Sequence, residues 1–214
     1  MSKAVNYNFT SNWFVPEQPQ WQYLLSEYKG KKINVLEIGV YEGRATVWML
    51  ENLFDNPEST LVAIDTFKGS PELKKEDLVG LYDRFLANIK ISGKENQVKI
   101  IKDTSYNSLI KFNYNQDIQF DFIYVDASHF ADDVLRDLVL AWPILCENGI
   151  MIMDDYAWYR FAEEYNRPKI AIDAFLACHQ FEIEILEINF QVTIRKVKKE
   201  RKMTRTNWVY EGDI

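Results

Sequence analysis

The sequence predicts an α/β fold: a mostly parallel seven-stranded sheet that ends in an antiparallel C-terminal hairpin strand. Three observations carry that prediction. Short β-branched runs alternate with amphipathic stretches, the pattern of βαβ units. A glycine-bearing turn joins the first run to the helix behind it. The last two β-like runs nearly touch in sequence, and a parallel crossover between them would need roughly a dozen residues.

A first helix is announced by Trp21, Leu24, Leu25 and Tyr28, one apolar stripe that stops at Gly30, and it should cap the sheet. The parallel strands are read at 33–38 (INVLEI), 60–65 (TLVAID), 97–101 (QVKII), 120–125 (FDFIYV) and 149–154 (GIMIMD). Between them helical patterns run from Ala45 to Leu53, Leu81 to Ile91, Tyr106 to Phe112 and Asp132 to Leu145. In the last of these Val134, Leu135, Leu138, Val139 and Trp142 recur at helical spacing, with Pro143 near the end. Pro168 stands where a first helical turn tolerates proline, and Ile170, Ile172, Phe175 and Leu176 follow as a buried face. Residues 181–188 (FEIEILEI) and 190–196 (FQVTIRK) then pair as the terminal hairpin. The sum is a Rossmann-like three-layer sandwich, set apart from the plain dinucleotide fold by its reversed last strand. Residues 1–32 form an N-terminal segment and capping helix, 33–197 the core and 198–214 a basic C-terminal tail.

A chain of 214 residues suits one such domain, since domains usually run ~100–200 residues. With 47% apolar and 27% charged residues, global disorder and fibrous repeats are both excluded. Apolar runs stay far below the ~20 residues that cross a bilayer, and the amino terminus has no apolar block of the signal-peptide kind. A soluble, cytoplasmic protein without a membrane partner is expected. Cys146 and Cys178 form neither a CxxC pair nor a disulfide framework, and each falls in a segment read as buried helix, where it should be an inert packing residue. The net charge is −7, yet residues 196–205 carry six basic side chains against one acid. The acidic body argues against tracking a nucleic-acid backbone, which needs a basic face. The tail is either a solvated terminus or a contact for an anionic partner.

The first strand runs into Glu37-Ile-Gly39-Val-Tyr41-Glu-Gly43 and then into a helix. Glycines at such a turn let the backbone approach a ligand at the carboxyl edge of the sheet. Asp65 ends the second strand, where a carboxylate can accept both ribose hydroxyls, although alone it would serve equally as a helix cap or a solvated turn. The third strand ends in Asp103-Thr-Ser105, beside the place of an adenine. Together these strand ends point to nucleoside binding.

With these residues in view the chain resembles the class I S-adenosylmethionine-dependent methyltransferases, whose usual opening is ExGxxxG followed by an acid at the second strand end. It is most similar to a branch with catechol O-methyltransferase-like features and to the macrocin-type sugar O-methyltransferases, through VLEIGVYEGRATVWMLEN, AIDTFKGS, FIYVDASH, DLVLAWPIL, MIMDDY and RPKIAIDAFL. Tyr41 stands where the wider superfamily commonly has a further glycine. The resemblance implies that 33–197 binds S-adenosylmethionine. Glu37, Gly39 and Gly43 would shape its methionine end, Asp65 would lie on the ribose and Ser105 near the adenine, with Tyr41, Thr66, Asp103 and Asp126 as further cofactor-binding residues. A nicotinamide dehydrogenase also wants a glycine turn and an acid, but it leaves the hairpin and the DASH…DD set unused, and the only YxxxK pair, Tyr28 to Lys32, precedes the first strand.

The fourth strand delivers Asp126-Ala-Ser-His129 and the fifth Asp154-Asp155-Tyr156. Three carboxylates converging at one sheet edge repel one another unless a cation sits between them, and a hard divalent ion such as Mg²⁺ resolves the conflict. Alternatively, Asp154 and Asp155 cap the following turn while Asp126 contacts cofactor. His129 is placed to take a proton from an attacking hydroxyl, or to bond a neighbouring loop. The resemblance gives the three acids as metal ligands. It gives histidine at this position as the base of macrocin-type enzymes, where catechol-type enzymes carry lysine, and this favours a sugar or other aliphatic hydroxyl as acceptor. His179, in the late helix, is read as a surface or packing residue.

Substrate recognition is expected in the loops after the second and fifth strands. The latter holds Tyr156, Trp158, Tyr159, Phe161 and Tyr165, rings that could stack on a sugar or equally pack against the sheet or a second subunit of a homo-oligomer. Arg160, Lys68 and Lys74 are read as solvated charge or as anion holders. The expected activity is O-methylation of a small molecule; the alternative is a non-catalytic nucleoside-binding or assembly domain in a glycan or biosynthetic pathway.

Overall fold

The computed structural model of the chain describes residues 6–70, 73–115 and 118–198. Its parallel strands are β1 (Asn34–Ile38), β2 (Thr60–Ile64), β3 (Val98–Ile101), β4 (Phe120–Val125) and β5 (Leu145–Met153). The hairpin strands are β6 (Ile183–Ile188) and β7 (Val192–Lys196). The helices are α1 (Gln18–Leu24), α2 (Arg44–Leu53), α3 (Lys75–Leu78), α4 (Leu81–Ile91), α5 (Ser105–Asn115), α6 (Ala131–Ala141) and α7 (Pro168–His179). The strands stand in the order β3-β2-β1-β4-β5-β7-β6. The first five are parallel, β7 runs antiparallel to β5, and β6 runs antiparallel to β7. This is the expected three-layer sandwich with its reversed C-terminal strand.

Each strand alternates its side chains between two cores. Val35, Leu61, Ala63, Phe122, Tyr124, Ile150 and Ile152 face α1, α2 and α4 on one side. Leu36, Ile38, Val62, Ile64, Ile123, Val125, Met151 and Met153 face α5, α6 and α7 on the other. Because both faces are covered, the strands read as continuous apolar runs rather than alternating ones. Trp21 of α1 is fully buried, edge-on against Trp48, Phe122 and Tyr124, so the first helix does cap the sheet. The segment before it also packs, with Tyr7 and Phe9 lying on the same core.

Several boundaries differ from expectation. The helix read from Asp132 to Leu145 stops at Ala141, becomes a 3-10 turn over Trp142–Ile144, and Leu145 opens β5. Pro143 cannot donate to the helix and ends it earlier than the apolar spacing suggests. Tyr28 sits in a separate 3-10 turn, Ser26–Tyr28, where its hydroxyl donates to the Asp121 carbonyl and accepts from the Ile150 amide. The short helix α3 has no apolar stripe and was not expected. Cys146 lies in β5 and not in a helix, and Cys178 of α7 is exposed, so neither is a buried helical packing residue. His179 packs against Trp142 and Phe175. Among the described residues no helix is long and apolar enough to cross a membrane. The basic tail beyond Lys198 lies outside the described residues.

Candidate active site

The five parallel strands end side by side, and at four of them the next residue is tied to a neighbouring strand by one more backbone bond. Gly39 N–H donates to the Ile64 carbonyl at 2.9 Å, Asp65 to Ile101 at 3.2 Å, Asp126 to Ile38 at 2.8 Å and Asp154 to Val125 at 3.0 Å. The acids singled out by sequence are thus fixed at one edge by the ladder itself. The cleft above them has a volume of about 610 Å³ and is lined by residues of every strand-end loop together with Trp13, Phe14 and Glu17 of the N-terminal segment.

The first loop is built around close approach. Gly39 has φ +84°, and a Cβ placed on it would meet the Asp126 carbonyl oxygen at 2.0 Å. Tyr41 also has positive φ, 48°, a conformation that costs a non-glycine residue about 1–2 kcal/mol. Asp65 holds it there. Asp65 Oδ2 accepts from the amides of Val40 (2.8 Å) and Tyr41 (3.0 Å), and Oδ1 accepts from that of Phe67 (2.7 Å). Gly39, Tyr41, Asp65 and Thr66 all line the cleft. Glu37 and Gly43 do not. Gly43, φ +78°, caps α2 against the Phe85 ring. Glu37 lies buried beneath the loop, where it accepts the Thr46 hydroxyl at 2.6 Å, and burial pushes its carboxyl up to about 8.

At the third strand end Asp103, Thr104 and Ser105 line the cleft. Asp103 accepts from the Thr104 amide (2.8 Å), the Asn107 side chain (2.9 Å) and Lys111 (3.2 Å), and these bonds hold its carboxyl below the usual range. The cap of α5 is Thr104, whose Oγ1 accepts the Asn107 amide at 3.2 Å.

Beyond β4 and β5, one ligand atom each from Asp126, His129 and Asp155 falls within a 4.8 Å span. His129 Nε2 is 2.6 Å from Asp155 Oδ2, and its ring is stacked on Trp158 with centroids 4.6 Å apart. Asp155 adopts φ +61°, the kind of local strain that surrounding structure must hold in place. Asp154 belongs to the same edge but is turned to other partners. Its Oδ1 accepts the Asp155 amide at 2.7 Å, while Oδ2 accepts Gln191 Nε2 at 2.9 Å and the Tyr124 hydroxyl. Tyr124 also lies 2.9 Å from Asp126 Oδ2. One hydroxyl proton cannot serve two carboxylates at once. Burial first, and then the neighbouring Asp155 carboxylate, push Asp154 up to about 7; burial first, and then the charges of Asp154 and Asp155, push Asp126 well above its ordinary value.

Sequence reasoning missed Tyr124, Gln191 and the N-terminal wall, because Tyr124 and Gln191 both read as ordinary strand residues. One partner of Gln191 is distant in sequence: its Oε1 accepts from Trp21 Nε1 at 2.8 Å, 170 residues away. Of the five rings after β5 that could either wall the site or pack locally, only Trp158 lines it. Tyr159 and Tyr165 are exposed, Tyr156 bonds Asp173 and Lys169, and Phe161 stacks on Phe130. Arg160 lines the cleft; Lys68 and Lys74 are not among its lining residues.

Comparison with known families gives a match over residues 36–156 to a family described as a methyltransferase domain. The chain belongs to this methyltransferase-domain family. The matched segment contains Gly39, Asp65, Asp126, His129, Asp154 and Asp155. Among curated proteins the chain is 24% identical over 131 residues to the uncharacterized protein R132 of Acanthamoeba polyphaga mimivirus, with 54% of this chain and 59% of that protein covered. The chain thus spans about three fifths of the length of this relative. Among solved structures it is similar to the O-methyltransferase from Bacillus cereus in complex with SAH, with a TM-score of 0.64, 15% identity, and 91% and 84% of the two chains covered. It is also similar to the MycE methyltransferase of the mycinamycin biosynthetic pathway in complex with Mg, SAH and mycinamycin VI, with a TM-score of 0.60, 16% identity, and 94% and 54% covered. At these identities the likeness shows a shared fold.

Proposed function

We propose that the protein transfers the methyl group of S-adenosylmethionine to a hydroxyl of a small molecule, a sugar or glycosylated metabolite being the favoured acceptor class. The observation that carries this reading is the Asp126–His129–Asp155 cluster at the carboxyl edge, beside a glycine loop shaped for close approach. The first loop would receive the methionine end of the cofactor, Asp65 and Thr66 its ribose, and Asp103 and Ser105 its base. The acceptor oxygen attacks the methyl carbon in line with the departing sulfur, which keeps the bonding electron pair and leaves as S-adenosylhomocysteine. The hydroxyl proton goes to His129. The adjacent Asp155 carboxylate favours the imidazolium that results, and Trp158 fixes the ring plane.

The donor set fits a divalent cation. Asp126 and Asp155, with Asp154 behind them, offer hard oxygens of like charge in a small volume, and like charges held that close favour a cation between them. A bound Mg²⁺ would supply charge neutralisation and acidify an acceptor hydroxyl. The Mg named in the MycE complex supports this assignment.

The test is transfer of labelled methyl from S-adenosylmethionine to a panel of sugar and phenolic acceptors, with and without chelator. His129→Ala should lower turnover by about 10²–10⁴-fold while leaving cofactor affinity nearly intact. Full turnover in His129→Ala, or after chelation, would refute the base or the metal assignment respectively.

A further inference from the structure

Beside Glu37, the first loop holds a buried acid that the chemistry above does not use. Glu42, between Tyr41 and Gly43, is 1% exposed and is not among the residues lining the cleft. Its carboxylate ties three parts of the molecule together. Oε2 accepts the Thr10 amide at 2.7 Å, and Oε1 accepts both the Thr10 hydroxyl at 2.6 Å and Arg84 Nε of α4 at 2.7 Å. The Glu42 carbonyl accepts Asn88 Nδ2 at 2.9 Å, and the Asn88 side chain in turn bonds the amide and the carbonyl of Asn8. Tyr7 donates to Glu51 of α2, and the Phe9 ring lies under the Arg44 guanidinium. Residues 7–10 are thus strapped onto α2 and α4, and the bonds to the Glu42 carboxylate, being charge-assisted, are the strong ones.

Beyond the strap the chain crosses to Phe14, which is buried against Trp21 and Trp48. Between these two anchors stands Trp13. Its ring is 59% exposed, so burial does little to hold it, yet it rests on the Tyr41 ring with centroids 5.0 Å apart, and both residues line the cleft. The Tyr41 hydroxyl meets the same Thr10 side chain that Glu42 holds. The Tyr41 backbone is fixed separately, by Asp65. We propose that Glu42 is a positioning residue: through Thr10 it sets Trp13 against Tyr41, and this aromatic pair gates passage of the cofactor at the methionine end of the cleft. The inference rests on the methyltransferase reading, which places that end of the cofactor at the first loop. Every anchor of the strap is a bond within the protein, so the gate slows entry and exit alike and leaves the affinity to the loop itself.

The test is surface plasmon resonance of S-adenosylhomocysteine on the immobilised full chain, read as separate on-rates and off-rates. In Trp13→Ala, which removes the ring, both rates should rise roughly tenfold together while the dissociation constant moves by less than about threefold. Glu42→Gln keeps the volume but offers a single carbonyl oxygen where two carboxylate oxygens met three donors, and it should show the same paired rise. The double variant should exchange no faster than Trp13→Ala alone, since Glu42 acts through that ring. Thr10→Val removes only the hydroxyl and carries the test if Glu42→Gln fails to fold; it should speed both rates by about threefold or more. Wild-type rates in any of these variants would overturn the proposal. So would a rise in the off-rate alone in Glu42→Gln, the mark of a loosened first loop, or a double variant that exchanges faster than Trp13→Ala. Those outcomes leave the methyltransferase reading standing, since the wild type still binds. No binding of S-adenosylhomocysteine by wild-type protein would instead remove that reading, and this inference with it.

Discussion

At the scale of single residues, Gly39 and Glu37 show how tightly the first loop is specified. Gly39 has both a left-handed backbone and no room for a side chain, since its Cβ would lie 2.0 Å from a backbone oxygen of the neighbouring loop. Gly39→Ala should therefore push β1 and β4 apart at their ends and abolish cofactor binding while the sheet still forms. Calorimetry with S-adenosylhomocysteine, with circular dichroism as the control for folding, checks this. Glu37 makes a pH prediction. Its carboxyl is raised from an ordinary value near 4.5 to about 8, chiefly by burial. The folded state thus holds this proton more tightly than the unfolded one. The associated stability is fully present below the ordinary value and is lost as pH climbs through about 8. Glu37→Gln, which keeps an acceptor for Thr46, escapes that loss. Its melting temperature should match wild type near pH 5 and exceed it by about 3 °C or more near pH 8.5. A gap independent of pH would contradict the assignment.

At the scale of elements, the hairpin is a structural support for the site as well as the sheet's edge. Gln191, fully buried between β6 and β7, bridges Trp21 of α1 to Asp154 beyond β5. It thereby ties the capping helix to the acidic cluster. Gln191→Leu fills the volume but leaves an indole N–H and a carboxylate oxygen short of partners, which should cost about 1–3 kcal/mol. A thermal melt should then fall by roughly 2–10 °C. An unchanged melt would mean that water or rearrangement replaces both bonds. The loop after β5 teaches the converse lesson about ring density. Its aromatic residues suggested a stacking wall, yet one ring, Trp158, reaches the cleft and the others pack locally or face solvent.

At the scale of the whole molecule, the succession of strands and helices and the antiparallel terminal hairpin were legible because apolar runs, glycine punctuation and the short hairpin turn are local signals. The acids at strand ends were legible for the same reason: topology places them at one edge whatever else the chain does. What the sequence hid was long-range or polar. Tyr124 bridges Asp126 and Asp154 from the middle of an apolar strand. The wall made by Trp13, Phe14 and Glu17 comes from a segment with no pattern of its own. Asp137 looks like the polar face of an amphipathic helix until α5 packs over it. The early end of α6 at Ala141 depends on Pro143 overriding an apolar stripe that continues to Trp142.

The proposed function joins a nucleoside cleft to an acidic, cation-binding edge in one fold. It is tested most directly by calorimetric titration of S-adenosylhomocysteine into the protein, with and without Mg²⁺. The account predicts a one-to-one complex with a dissociation constant of about micromolar order. It also predicts that the ion binds in its own titration and that this binding is lost in Asp155→Ala. Absence of S-adenosylhomocysteine binding in both conditions would contradict it.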